Sequence, residues 1–314
     1  MTTSSIFEFK AGPSSETVIP RELWETHNPP QSLFIQGEGN ALELLKGLPE
    51  RGLAIVGTRR PQPRSIVYLK SQIRSLQGSS LIILSGLARG IDTVVHETAL
   101  EAGLPTIAIV GSGLDVPYPR ENEPLRKQII QRGGLIISEY PLGTPPLSHH
   151  FLRRNRLIAG WSKATWVVEA AMRSGALNTA RWARDQNKTC FAVPGFPGDP
   201  ALAGNQILLD RDHALAYWGV HSLGAAWIDL VSHMERTQAV PSTQGSTQSS
   251  THAEDDLILE VVKRKTREQG AVQVSELLAW AIHQGWEPQK FYTVFHQNLR
   301  QKRLIQENNF VLSI

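Results

Sequence analysis

The chain of 314 residues contains one cysteine, Cys190. A lone thiol cannot close an intrachain disulfide, so the fold must stand on its apolar core, and the chain fits a reducing compartment. Cys190 sits in the apolar run Cys190-Phe191-Ala192-Val193 and reads as a small buried hydrophobe rather than a nucleophile. Long apolar runs are missing too: none approaches the roughly 18 residues of a membrane span. The first ten residues, MTTSSIFEFK, lack the basic and apolar regions of a secretory leader. The expectation is a soluble, cytoplasmic protein without membrane contact. Metal chemistry finds no support, because no HExxH or Cys/His cluster has ligand spacing and His149-His150 is a dipeptide rather than an i, i+4 pair. GxGxxG, GxxxxGK[ST] and GxSxG are all absent, which removes the common dinucleotide, ATP and nucleophile-elbow sites. No cofactor is expected, and nothing assembles into a catalytic constellation.

What is present is an alternation. Hydrophobic residues make up 41% of the chain, enough for a sizeable core, and the net charge of +3 leans towards acidic partners without saying anything of the fold. Short apolar runs recur at Leu53–Val56, Leu81–Leu84, Thr106–Val110, Leu135–Ser138, Thr165–Val168 and Thr189–Val193. Helical patterns separate them, among them Ile66–Leu76, Leu125–Gln131 and Leu177–Asp185. Strands of four or five residues alternating with helices predict an α/β fold with a parallel sheet buried on both faces. Upstream, residues 1 to about 20 are polar and are expected to be poorly ordered. Leu33-Phe34-Ile35 reads as a short strand and Asn40–Leu45 as a small helix capped by Asn40.

Periodicity fades after Trp218, and Gln238 to His252 is a Ser/Thr/Gln-rich linker. Beyond it, Leu257–Val262, Val274–Trp280 and Phe291–Leu299 show helical spacing, and Arg303 to Leu312 reads as a hairpin. Three helices and a two-stranded hairpin describe a winged helix. Its eight Lys/Arg balance eight Asp/Glu between Glu254 and Ile314, so a protein-binding role is supported at least as well as a DNA-binding one. The expected organisation is a short N-terminal segment (1–48), a Rossmann-like domain (49–222), a flexible linker (223–253) and a winged-helix domain (254–314).

In a parallel sheet, ligands bind beyond the carboxyl ends of the strands. Here those ends read Gly57-Thr58-Arg59, Ser85-Gly86, Gly111-Ser112-Gly113, Ser138-Glu139, Glu169-Ala170 and Pro194-Gly195. So many glycine and polar signals at one edge predict a cleft that a ligand approaches closely. The stretch Leu81–Asp92 is the centre of this pattern: a strand, the Ser85-Gly86 turn, Arg89, and a helix start whose free N–H groups suit an anion. A turn that needs its glycines only for packing would look the same. Between residues 151 and 190, eight basic residues face two acidic ones. Within that segment Arg153-Arg154-Asn155-Arg156 follows Phe151, a combination of guanidinium groups and a ring that suits backbone phosphates and an unstacked base. These residues belong to an insertion that runs from Tyr140 to Gly160, and the prolines at 141, 145 and 146 predict that it is an extended loop. Glu169 at a strand end reads either as a base towards a ribose or as an acid balancing nearby arginines. Asp92 and His96, four residues apart, suit capping or packing.

Taken together, Ser85-Gly86-Leu87-Ala88-Arg89-Gly90-Ile91-Asp92 with His96, Val56-Gly57-Thr58-Arg59, Gly111-Ser112-Gly113-Leu114-Asp115 with Tyr118-Pro119, Ser138-Glu139-Tyr140-Pro141, the Phe151–Gly160 segment, Ser174-Gly175-Ala176-Leu177 and Phe191-Ala192-Val193-Pro194-Gly195 resemble the DNA processing protein A family (DprA, also called Smf). The resemblance runs from about Leu23 to Ala214. It implies an extended Rossmann-like domain that binds single-stranded DNA and forms homodimers, in a protein that protects incoming strands during natural transformation and helps load the recombinase RecA. Carried over by position, Gly57, Thr58, Arg59, Phe151, Arg153, Asn155 and Arg156 would contact the strand, with Lys163 as a neighbour. The turns at Ser85-Gly86 and Gly111-Ser112 would offer N–H groups to phosphates, beside Arg89. Against the family pattern, the N-terminal helical domain is expected to be reduced or absent, Leu152 stands where a proline is common, and the stretch from Gly204 to His213 does not keep the usual ending. A competing reading is an enzyme related to nucleotide phosphoribohydrolases, with Glu169 and Ser174-Gly175 at its centre; the basic segment at 151–156 is more than a small nucleotide requires.

Overall fold

The computed structural model describes residues 5–11, 18–26, 28–195, 198–227, 250–269, 272–286, 291, 294–295, 298, 303–307 and 310–313. The chain divides into two compact units, 1–214 and 215–314. In the first, strand β1 (Ser5–Lys10), the short helix α1 (Arg21–Trp24), β2 (Ser32–Gly37) and α2 (Leu44–Arg51) lead into the alternation. The latter runs β3 (Gly52–Val56), α3 (Pro63–Arg74), β4 (Ile82–Ser85), α4 (Ile91–Glu101), β5 (Thr106–Val110), α5 (Glu123–Gln131) and β6 (Leu135–Ser138). It continues through α6 (Ser148–Gly160), β7 (Ala164–Val167), α7 (Gly175–Asp185), β8 (Thr189–Ala192) and α8 (Ala203–Asp210). These strands lie in the order β1-β2-β6-β5-β4-β3-β7-β8. From β6 to β8 neighbouring strands run parallel, whereas β1 with β2 and β2 with β6 are antiparallel.

The alternation of side chains across the pleat explains why the strands carry no polar face. Along β5, Ile107 and Ile109 join an apolar cluster with Leu45 and Leu48 of α2, Leu157 and Ile158 of α6 and Ala176, Ala180 and Ala183 of α7. Ala108 and Val110 point the other way, into a cluster with Leu100 of α4 and Leu125, Ile129 and Ile130 of α5. Each fully buried Leu, Ile or Val contributes about 1.5–3 kcal/mol relative to leaving it exposed, so this double layer is the main source of stability. Helix starts and stops follow local chemistry: Ser174 caps α7 by accepting from the Ala176 N–H at 3.1 Å. Pro63 and Pro124 stand in the first turns of α3 and α5. Gly103 (φ +69°) ends α4, with the Leu104 N–H reaching back to the Ala99 carbonyl at 2.9 Å.

Three expectations change. Residues 5–10 are not irregular but form β1, paired along its whole length with β2. Residues 39–43 form a 3-10 turn without a side-chain cap before α2, rather than a helix capped by Asn40. The segment from Ser148 to Gly160 is a helix of 13 residues, not part of an extended insertion. The extended part is confined to the proline-bearing residues before it.

In the second unit, α9 (Ser250–Gln269), β9 (Val272–Gln273), α10 (Val274–His283), β10 (Leu304–Glu307) and β11 (Phe310–Ser313) are described. The strands form a small antiparallel sheet in the order β9-β11-β10. Ile258, Val262, Val272, Leu277, Ala281, Phe291, Phe295 and Leu304 make its core. Most of the expected linker, the start of the expected third helix at Glu287-Pro288 and the hairpin turn at Asn308-Asn309 lie outside the described residues.

Candidate nucleic-acid interface

At the carboxyl ends of β3, β4 and β7 a cleft of about 580 Å³ opens, walled by the first turns of α6 and α7. Of the residues singled out from the sequence, Gly57, Thr58, Arg59, Phe151 and Asn155 line it. Arg154, Arg173 and Tyr118 line it as well. The backbone that shapes it is tightly specified. The Thr58 N–H donates to the Glu169 carbonyl at 2.8 Å, and the Thr58 carbonyl accepts from the Ile91 N–H at 3.1 Å. Gly57 leaves room for Ile91, whose Cγ1 would be 2.6 Å from an added Cβ. Gly90 has φ +78°, and a Cβ there would meet the Thr58 carbonyl oxygen at 2.5 Å. Only glycine fits that corner.

Beneath the cleft lies a buried polar cluster. Arg154 is 3% exposed; its Nη1 donates to the Gly86 carbonyl at 2.9 Å and also to the Ile109 carbonyl, while its Nε reaches Asn155 Oδ1 at 3.2 Å. One guanidinium therefore ties together the ends of β4 and β5. Asp92 accepts from the N–H groups of Gly86 at 3.2 Å and Ala88 at 3.4 Å. Burial raises the Asp92 carboxyl above its usual range, with Arg154 opposing the rise. Burial lowers Arg154 to about 10, with Asp92 opposing, which leaves it charged at neutral pH. His96 is fully buried, bonds Thr106 Oγ1 at 2.8 Å, and is pushed down to about 3 by burial and then by Arg154. It stays neutral.

The Ser85-Gly86 turn, expected to offer N–H groups to a phosphate, is used internally. Ser85 is fully buried with its hydroxyl on the Ile55 carbonyl at 2.7 Å, and the Gly86 N–H is taken by Asp92. A Cβ on Gly86 would lie 2.6 Å from Arg154 Nη2 and 2.7 Å from Asp92 Oδ2, so this glycine serves close packing. Gly111 likewise makes room for the Phe151 ring, 2.9 Å from an added Cβ. Ser112 is 2% exposed, and its hydroxyl bonds the Val116 carbonyl at 3.3 Å. Arg89 stands at the surface, ion-paired with Glu121, outside the cleft lining.

The basic segment also sorts itself. Arg156, expected to contact the strand, is instead fully buried: it grips Glu139 with two bonds of 2.7 Å, while its Nε holds the Asn28 carbonyl at 2.7 Å. A bidentate buried pair leaves no donor edge for a phosphate. Arg153 is exposed and sits 3.4 Å from Glu139. Asn155 lines the cleft but directs its amide to the Gly175 carbonyl (3.3 Å) and Asn178 Oδ1 (3.2 Å), joining α6 to α7. Lys163 also departs from its expected place beside the strand. It precedes β7 at the amino end of the sheet, 2.8 Å from Glu50, with its N–H on the Gly52 carbonyl, so the length of a strand separates it from the cleft. Arg173, which sequence reasoning only counted, is exposed on the cleft and has no ion-pair partner among the described residues. Its signal was present: a cation directly before the Ser174 cap of a helix that follows a strand end.

The rings complete the cleft. Arg59 is exposed, and its guanidinium carbon lies 5.5 Å from the Phe151 ring centre. Arg154 approaches the same ring at 5.9 Å. Tyr118 packs beside Phe151 with 5.1 Å between centroids. Glu169, 2% exposed, takes the Gln62 N–H on its two oxygens at 3.0 and 3.3 Å. It braces the loop before α3 rather than facing a substrate. Burial drives the Cys190 thiol up to about 12, which fits the reading of a packed hydrophobe. Among the described residues, no group of His, Cys, Asp and Glu is placed to hold a metal ion, and no helix is long and apolar enough to cross a membrane.

Comparison with known proteins follows the same outline. The family model for DNA recombination-mediator protein A matches residues 13–226. The chain is 40% identical over 199 residues to protein Smf of Escherichia coli, a match that covers 63% of this chain and 52% of that protein. It is 41% identical over 215 residues to DNA processing protein DprA of Streptococcus pneumoniae, covering 68% of this chain and 73% of the other. The match thus spans about half the length of the Smf proteins of E. coli and Synechocystis, 52% and 55%. The X-ray structure of DprA from S. pneumoniae superposes with a TM-score of 0.63 at 36% identity, covering 70% of this chain and 74% of that one. The Helicobacter pylori DNA processing protein A, whose structure concerns its single-stranded DNA binding mode, superposes with a TM-score of 0.57 at 27% identity over 74% of this chain and 95% of that one.

Proposed function

The chain belongs to the DNA recombination-mediator protein A family, and from that premise we propose that it binds single-stranded DNA in the cleft at the carboxyl end of its sheet. The observation that carries the proposal is the pairing of exposed Arg59 and Arg173, neither with an ion-pair partner among the described residues, with the Phe151 and Tyr118 rings in one cleft. Cations without partners lose little on meeting phosphates, and condensed counterions are released when they do. Rings offer a face to any base, so sequence preference is weak. Arg153, shared with Glu139, and Arg89, paired with Glu121, extend the positive rim along the strand's path.

The role is binding rather than catalysis. The strand is shielded from other proteins and handed to a recombinase of the RecA type, in the cytoplasm, during uptake and recombination of DNA. Homodimers would hold one strand at two clefts, which raises affinity by effective concentration without new contacts. The second unit acts as a winged helix towards a protein partner, in keeping with its balanced charge. The phosphoribohydrolase reading has less to support it, since Glu169 is 2% exposed, accepts from the Gln62 N–H and does not line the cleft.

Fluorescence anisotropy with labelled oligonucleotides tests the proposal. Tight, salt-sensitive binding of a single strand, well above that of a duplex of the same length, is the expected result. Equal binding of both, or none, would overturn it. Acceleration of RecA filament assembly on coated single strands tests the handover.

A further inference from the structure

Tyr118 is 39% exposed, unusual for a large ring in this unit, and it faces the cleft. Nothing about it is loose. Ahead of it, the Val116 N–H donates to the Gly113 carbonyl at 3.0 Å, the Gly113 N–H to the Thr144 carbonyl at 2.9 Å, and the Gly143 N–H to Asp115 Oδ1 at 2.7 Å. The Arg126 guanidinium grips the Leu114 carbonyl. Behind it, the Asn122 N–H returns to the Pro119 carbonyl at 3.0 Å, and Asn122 Nδ2 anchors on the Leu87 carbonyl at 3.0 Å. A loop clamped on both sides thus holds the ring open to solvent, although the hydrophobic effect favours covering it.

Its neighbour is arranged differently. Phe151 is half-buried, with Arg59 and Arg154 at 5.5 and 5.9 Å from its centre, so much of its surface is already covered. Tyr118 lies against it at 5.1 Å and 37°, continuing the aromatic surface outward. We infer that Tyr118 is a base-stacking residue of the single-strand site, the outer ring of a platform whose inner ring is Phe151. This rests on the proposed single-strand binding and names an interaction that neither the basic segment nor the glycine turns supplies. Stacking on the ring face adds a contribution that is indifferent to base identity and releases no counterion, so the salt slope of the binding is left to the cations.

The test uses the full chain and a single-stranded oligonucleotide carrying one 5-iodo-deoxyuridine, irradiated and mapped by peptide mass spectrometry. A cross-link on the peptide bearing Tyr118 is expected without any substitution. In parallel, Tyr118→Ala should weaken single-strand binding about tenfold, within the range of about 5- to 150-fold for one stacked base, with an unchanged salt slope. Tyr118→Phe should bind like the unsubstituted chain. Cross-links confined to Phe151, Tyr118→Ala binding within twofold of the parent, or Tyr118→Phe as weak as Tyr118→Ala would each overturn the assignment. The reading beneath it fails separately: a parent chain that binds no single strand sinks both, whereas a parent that binds and is weakened by Phe151→Ala alone sinks only the role of Tyr118.

Discussion

The two ends of the parallel sheet carry their cations in opposite states. At the amino end, Lys163 is tied to Glu50 at 2.8 Å, and Lys188 lies near enough to Glu50 to feel its charge. At the carboxyl end, Arg59 and Arg173 face an open cleft without an acid partner among the described residues. Between the ends, α6 buries Arg154 and Arg156 as bolts, one on the strand carbonyls and one on Glu139. Arg181 and Arg184, farther along, share Asp185. Of the exposed basic residues in 151–190, Arg173 alone stands without an ion pair among the described residues. The lesson is that a local excess of positive charge locates a binding surface only after each cation's partner is known.

The sharpest way to break the contrast is to remove a bolt. Arg156→Ala would leave the Glu139 carboxylate, whose side chain is 4% exposed, with only the exposed Arg153 at 3.4 Å in place of its buried bidentate partner. Losing one member of a buried pair costs about 3–5 kcal/mol, so urea denaturation should show a large drop in midpoint. The molecules that remain folded should keep the parent salt slope for DNA. Gly86→Ala should cost about 1–3 kcal/mol by overpacking, because the new methyl meets Arg154 and Asp92, and the same measurement reads it.

The buried cluster makes a pH prediction as well. His96 titrates at about 3 in the fold against 6.5 for the free side chain. Below 6.5 the unfolded chain takes up a proton that the folded chain refuses, so stability is full above that pH and falls on the way down. The loss approaches about 1.4 kcal/mol per pH unit. Urea midpoints between pH 7 and 5 should therefore fall more steeply for the parent than for His96→Gln; equal slopes would show that His96 is not the group responsible. Smaller again is the amino end. Lys163→Ala removes a partly exposed pair, whose contribution is about 0–1 kcal/mol, and should change neither the denaturation midpoint nor DNA binding measurably.

Much of the fold was legible because a doubly covered strand must be apolar on both faces. Leu53–Val56, Thr106–Val110 and Leu135–Ser138 announce themselves, and they coincide with β3, β5 and β6. β1 did not, because its burial is only partial along the strand and its pairing with β2 is a tertiary fact. α6 was hidden by Arg153-Arg154-Asn155-Arg156: two of those arginines point into the protein, so charge no longer marks the outer face. The place of the cleft was readable from the glycine-rich strand ends, yet the roles within it were not. Gly86, Gly90 and Gly111 are there for Arg154, Thr58 and Phe151, neighbours brought together across tens of residues of sequence. Partners such as Glu139 for Arg156 and Glu50 for Lys163 are set by the fold and invisible in local pattern.

The contrast between the sheet ends is tested most directly by the salt dependence of single-strand binding for Arg59→Ala, Arg173→Ala and Lys163→Ala beside the parent. Each phosphate that is no longer neutralised should reduce the slope of log affinity against log salt by about 0.7 for a single strand. Arg59→Ala and Arg173→Ala should each lower the slope by about that much, and Lys163→Ala should leave it unchanged. A slope that falls with Lys163→Ala and holds with the two arginine variants would place the DNA at the opposite end of the sheet and contradict the account.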